Sequence, residues 1–114
     1  MALHYNLAKV YALSGNDPQF VKQIVNLFVT EVSSDLEALK EGIEAKDHQK
    51  AYGSAHKIKP SLDLLGLNLA YEEILQIEDW TKNIGRKKEI KEIYKSLAHQ
   101  IEKAVKEIKK DFNL

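Results

Sequence analysis

AHKIKPSLDLLG, residues 55–66, carries a histidine, a lysine three residues later, and then a proline where a helix would lose a hydrogen bond. Ala55, Ile58, Leu62 and Leu65 continue a stripe begun at Ala51, in steps of four, three, four and three. That period marks one face of an α-helix, not the alternation of a strand. The stretch is therefore expected to lie on a core-facing helix, capped at its start by Asp47 and stopped by Gly66. At about 100° per residue, His56 falls well away from the centre of the apolar stripe, so its ring is expected in solvent. Tyr52, Lys59, Pro60 and Asp63 are its neighbours on that side.

Working outward, Asp17-Pro18 reads as an N-cap followed by proline at the first helical position. Beyond it Phe20, Ile24, Leu27, Phe28, Val32, Leu36, Leu39 and Ile43 recur every three or four residues. They predict one long amphipathic helix, bent near Ser33-Ser34. Upstream, Tyr5 to Leu13 predicts a short helix broken by Ser14-Gly15-Asn16. Downstream, a helix is expected from Asn68 to Ile84, with Ala70, Ile74, Ile77 and Ile84 apolar and Gly85 as its stop. A last one is expected from Lys87 to Phe112, with Ile90, Ile93, Leu97, Ile101, Ala104 and Ile108 as its stripe. Trp80 is expected in the core or at the bundle end, and Glu78 and Asp79 beside it in solvent. No segment alternates convincingly as a strand. The expected fold class is all-α: an antiparallel up-down four-helix bundle with a short additional N-terminal helix, residues 1–114 forming a single domain.

Composition limits the chemistry. There is no cysteine, which excludes disulfides, thiolate–zinc sites and thiol catalysis. No run approaches the about 20 apolar residues of a membrane span, and the N-terminus lacks the pattern of a secretion signal. A cytoplasmic protein that does not engage a membrane is expected. Seventeen Lys and Arg balance seventeen Asp and Glu, but residues 86–114 carry nine basic and five acidic residues. Glutamates interleave with those lysines, as in KEIKEIYK, so Glu–Lys pairs on a solvated helix face are expected. Tyr94 and Phe112 are the only aromatic residues among them, too few for a row of stacking platforms, and nucleic-acid binding is not expected.

A solvent-facing histidine has a function available to it. Histidine titrates near neutrality, and its neutral imidazole is a nucleophile. Lys59, one turn on, would lie within reach of an anion attached to the ring. An ordinary surface His–Lys pair gives the same pattern. Pro60 distinguishes this pair, because the amide it lacks would have bonded the carbonyl of His56 itself. A kink that merely fits the helix to its neighbours, or a break in the helix, would also explain the proline.

These residues resemble the signature of histidine-containing phosphotransfer (HPt) domains, roughly A-H-x-L-K-G-S followed by L-G. Ala55, His56, Ile58, Lys59, Ser61, Leu65 and Gly66 stand at the matching places. Ile77-Glu78 resembles an L-E pair of the following helix, which places Glu78 next to the phosphorylated face. SGND and NLFVTEV resemble the entry to the family's first long helix. Pro60 departs from the pattern, standing where glycine is usual. The resemblance implies a phosphoryl carrier, not an autonomous enzyme. His56 would accept the group from a receiver-domain phospho-aspartate and pass it to another receiver aspartate. Lys59 would support the charge, with Pro60, Ser61, Asp63, Glu78 and Lys82 as phosphate-site or docking neighbours. The implied partners are receiver domains of a hybrid histidine kinase and of a response regulator, met by a monomer. No cofactor of its own is implied, and Mg²⁺ is expected on the receiver. With no P-loop and no G-x-G-x-x-G, ATP binding is not expected.

Two other readings remain open. A helical docking module would bind receivers without carrying phosphate and would not depend on His56. A metal site would need His4, His48 or His99 to converge from unrelated segments, since no H-x-x-x-H or E-x-x-H occurs; none is expected.

Overall fold

The computed structural model describes residues 5–114, so His4 lies outside the described residues. These residues form five helices and no strand: α1 (Ala8–Leu13), α2 (Pro18–Glu44), α3 (His48–Leu64), α4 (Asn68–Lys82) and α5 (Lys87–Phe112). α2 packs on α3, α3 on α4, α4 on α5 and α5 back on α2, with α1 against α2. The long dimension is 43 Å, close to the roughly 40 Å expected of a 27-residue helix such as α2.

Local chemistry explains most of the boundaries. Asp17 accepts from the Gln19 amide at 3.0 Å, with Pro18 at the first helical position. Asp47 accepts from Lys50 N at 3.0 Å and starts α3. Gly66 ends that helix with φ of +69°, and a Cβ there would also lie 2.7 Å from Asn6 Cβ. Two independent constraints therefore call for glycine at that turn.

Three expectations need correction. α1 begins at Ala8, not Tyr5. The preceding residues serve as a strap instead: Asn6 N donates to Leu65 O at 2.7 Å, and the Tyr5 hydroxyl donates to Asp111 at 2.7 Å. α2 is the one long helix expected and continues through Ser33-Ser34. Its first turns bury Val21 and Val25, leaving Phe20 44% and Leu27 57% exposed and Ile24 half-buried. Adjacent apolar pairs such as Phe20-Val21 and Leu27-Phe28 cannot both point inward, and Val21 and Phe28 are the members buried. At the end of α4 the left-handed residue is Ile84, φ +49°, and not Gly85. Ile84 is 69% exposed and contributes nothing to the core.

The core is the expected one elsewhere. Leu39, Ile58, Leu62, Ile74, Ile77, Leu97, Ile101 and Ile108 are fully buried. Helices α2 and α3 touch at Gly42, where a Cβ would stand 2.8 Å from the Ala51 amide nitrogen. Trp80 closes one end of the bundle: its ring lies 4.6 Å from that of His48, and its indole donates to Arg86 O at 2.9 Å. This is the bundle-end packing expected for the one tryptophan.

Candidate functional site

α3 presents Ala51, Ala55, Ile58 and Leu62 to the core and His56 to the outside, where its side chain is 59% exposed. Proline does not break the helix. α3 continues four residues past Pro60, and the His56 carbonyl loses only the one amide partner that proline lacks.

The partner that organises the ring comes from α4. Glu78 is 5% exposed, yet it is a carboxylate. One oxygen lies 3.2 Å from His56 Nδ1, and the other accepts from Lys59 Nζ at 3.0 Å. Glu78 was expected in solvent; instead α4 turns it beneath the outer face of α3. Burying a carboxylate is costly unless donors reach it, and residues i and i+3 of α3 supply two, the ring N–H of His56 and the ammonium of Lys59. The bond to Glu78 raises the pKa of Lys59, so the ammonium is held protonated.

This arrangement selects a tautomer. An ionised carboxylate only accepts, so the hydrogen bond requires the proton on Nδ1. Nε2 then carries the lone pair and has no hydrogen-bond partner among the described residues. Tyr52, one turn earlier, stacks on the imidazole with centroids 5.7 Å apart and planes inclined by 16°. Lys82 Nζ sits 5.6 Å from the Tyr52 ring centre. One face of the histidine is thus covered by an aromatic ring that Lys82 meets in turn, the Lys59 ammonium shares its carboxylate, and the largely exposed ring leaves Nε2 unengaged.

His56, Lys59, Glu78 and Lys82 with Tyr52 form one cluster. Ser61 and Asp63 stand apart from it. Asp63 pairs with Lys9 of α1 at 2.7 Å. Ser61 lines a groove of about 180 Å³ between α2 and α3, whose walls include Leu27, Phe28, Lys57 and Leu64. Lys57, directly after His56, pairs there with Asp35 at 3.2 Å. Its period places Leu27 in the core, but Leu27 is exposed and forms an apolar rim to this groove. The Leu27-Phe28 pair was the available signal. Of the other histidines, His48 is engaged with Gly85 O at 2.8 Å and His99 is exposed on α5. Among the described residues no group of three or more His, Cys, Asp or Glu could hold a metal ion. No helix among them is long and apolar enough to cross a membrane.

A family model described as Hpt domain matches residues 23–111, which include every residue of this cluster. The chain belongs to the Hpt domain family. No curated protein and no solved structure matched it. Hpt domains are phosphocarriers, not catalysts, in two-component signalling.

Proposed function

We propose that this Hpt domain is a phosphorelay intermediate in which His56 takes a phosphoryl group from the phospho-aspartate of one receiver and gives it to the aspartate of another. The observation that carries this reading is the outward, unengaged Nε2 of an imidazole whose Nδ1 is held by buried Glu78. The Nε2 lone pair attacks phosphorus in line; the P–Nε2 bond forms as the bond to the aspartyl oxygen breaks, and the leaving electron pair returns to the receiver carboxylate. The ring becomes cationic and keeps its Nδ1 proton, which Glu78 stabilises. Lys59 balances the phosphoryl charge, and Lys82 adds to the local positive field. The receiver supplies Mg²⁺, and this chain contributes positioning.

Receivers of a hybrid kinase and of a response regulator are the partners this chemistry fits, met by a cytoplasmic monomer. The apolar rim at Leu27 and Phe28, beside Lys57 and close in sequence to Pro60 and Ser61, gives such a partner a place to rest. Residues 1–114 act as one domain, an antiparallel up-down bundle with α1 laid on one end. The pairing of α3's first turn with α2's last, Lys50 to Glu41 at 3.0 Å, supports that direction of travel.

The test is transfer from a radiolabelled phospho-receiver, with label on the protein that is acid-labile and base-stable. No label from any of a broad receiver panel, on folded protein that still binds one receiver, would replace the relay with a docking module.

The anchor has its own prediction. Glu78→Ala frees both the ring and Lys59, and single-turnover transfer is expected to slow by roughly 10- to 100-fold, the scale of a small misplacement of reacting groups. Lys59→Ala is expected to slow transfer by about tenfold. The double variant is expected to lose less than the product of the two, because the residues act through one contact. Wild-type rates in Glu78→Ala would remove the positioning role.

A further inference from the structure

Most of the basic excess of α5 is not neutralised as its interleaved glutamates suggest. A cleft of about 660 Å³ lies between the end of α2 and the first turns of α5, lined by Lys40, Lys46, Lys87, Lys88, Lys91 and Lys95. Glu44 is the one carboxylate in its wall. Only Lys95 has an acidic partner, Glu92 at 3.8 Å; the other five lysines pair with no carboxylate among the described residues. Outside the cleft, among the described residues, Lys9, Lys50, Lys57 and Lys59 each hold one and others, Lys22 and Lys103 among them, do not, so the cleft is distinguished by gathering its free ammonium groups around one concavity. In a chain with seventeen acids for seventeen bases, so many uncompensated ammonium groups around one concavity form a local anion trap.

Two independent features add to the cluster. Lys46 has φ +57°, a conformation that favours glycine or asparagine. Gly15, Asn16, Gly66 and Asn113 fill the other positions of this kind, apart from Ile84. A lysine therefore occupies a strained position at the rim of the cleft. The floor, in turn, is rigid and neutral. Ile43 is buried, and the Tyr94 hydroxyl donates to Leu36 O at 3.1 Å. Burial pushes that hydroxyl up to about 12, so it adds no negative charge. The cleft lies on α2 and α5, whereas His56 and Glu78 belong to α3 and α4.

We propose that this cleft binds a small anion carrying two or more linked phosphates. Lys87 and Lys95 lie about 12 Å apart along α5 with Lys91 between them, a row longer than one phosphate, so linked phosphates engage more of it than a single one does. A volume of 660 Å³ suits a small molecule. The tethered Tyr94 ring is no platform for successive bases. Linked phosphates occur as soluble polyphosphate and as the headgroup of a polyphosphorylated lipid, and the cleft's chemistry fits either.

The probe is sodium tripolyphosphate, titrated into the ¹⁵N-labelled protein at about 0.15 M ionic strength, where exposed charges more than about 8 Å apart are screened. Saturable one-to-one binding is expected, with shifts confined to residues around 40–46 and 87–95. The variant Lys88→Glu/Lys91→Glu is expected to weaken it by at least about tenfold while leaving phosphoryl transfer unchanged. The control Lys103→Glu/Lys106→Glu, further along α5, is expected to leave it intact. Absence of saturation, or equal weakening in the control, overturns the site. Where tripolyphosphate binds, flotation with vesicles containing phosphatidylinositol bisphosphate assigns the source. Flotation lost in Lys88→Glu/Lys91→Glu supports the site with a lipid headgroup as ligand; no flotation supports it with a soluble one.

Discussion

His56→Gln is expected to abolish phosphoryl acceptance and leave the protein folded. The side chain is 59% exposed and lies outside the core, so its removal costs little packing. A glutamine amide can still donate toward Glu78, which keeps the buried carboxylate from losing its second partner. Exposed substitutions of this kind usually change stability by no more than about 0.5 kcal/mol, a shift of roughly 2–4 °C in melting temperature. The chemistry has no such reserve, because glutamine offers no lone pair of comparable nucleophilicity. The other described histidines are poor substitutes. His48 Nε2 is taken by Gly85 O, and His99 has no carboxylate holding its ring. Transfer assays with matched melting curves check both halves. Label persisting in the variant would move the acceptor elsewhere.

The largest effect on stability is expected at Gly85. A Cβ there would stand 2.2 Å from Trp80 Cδ1 and 2.3 Å from its Nε1. A side-chain tip can often swing aside, but this ring is 8% exposed, donates to Arg86 O and packs on His48. Moving it breaks the indole hydrogen bond and reopens the end of the bundle. Overpacking together with an unpaired buried donor places the cost of Gly85→Ala at about 3 kcal/mol. In a domain of this size that is roughly 10 °C in melting temperature. Far-ultraviolet circular dichroism during denaturant unfolding reads it directly in every variant. Gly85→Ala/Trp80→Leu is expected to recover part of the loss, since it removes the clashing ring; no recovery would place the cost in the turn itself.

How much of this was legible in the sequence depends on what sets each feature. The helices followed from period and punctuation: Asp17-Pro18, Asp47, Gly66 and the α5 stripe all act locally, and local signals survive folding. The failures share a different cause. Whether Val21 or Phe20 turns inward depends on which helix lies opposite, and period alone does not specify it. Ile84 takes the left-handed position because α4 ends in a Schellman turn, with Gly85 N donating to Trp80 O and Ile84 N to Thr81 O, while the glycine stands one residue later, where the ring of Trp80 leaves no room for a Cβ. Glu78 reads as an ordinary exposed acid until α4 is set beside α3; only its likeness to a family position pointed to the site. The lysines of α5 were expected to pair along the helix. Glu89 instead bonds the backbone amide of Arg86, and Glu92 reaches only Lys95. Tertiary placement, not composition, decides which charges remain free.

The most direct measurement of the site is the ring position of the phosphoryl group, read from ³¹P–¹⁵N couplings in the phosphorylated, ¹⁵N-histidine-labelled protein. With Nδ1 held against Glu78, the phosphoryl group is expected on Nε2 of His56 alone. Phosphorus on Nδ1, or on any other residue, would contradict the role assigned to the Glu78 anchor and to His56.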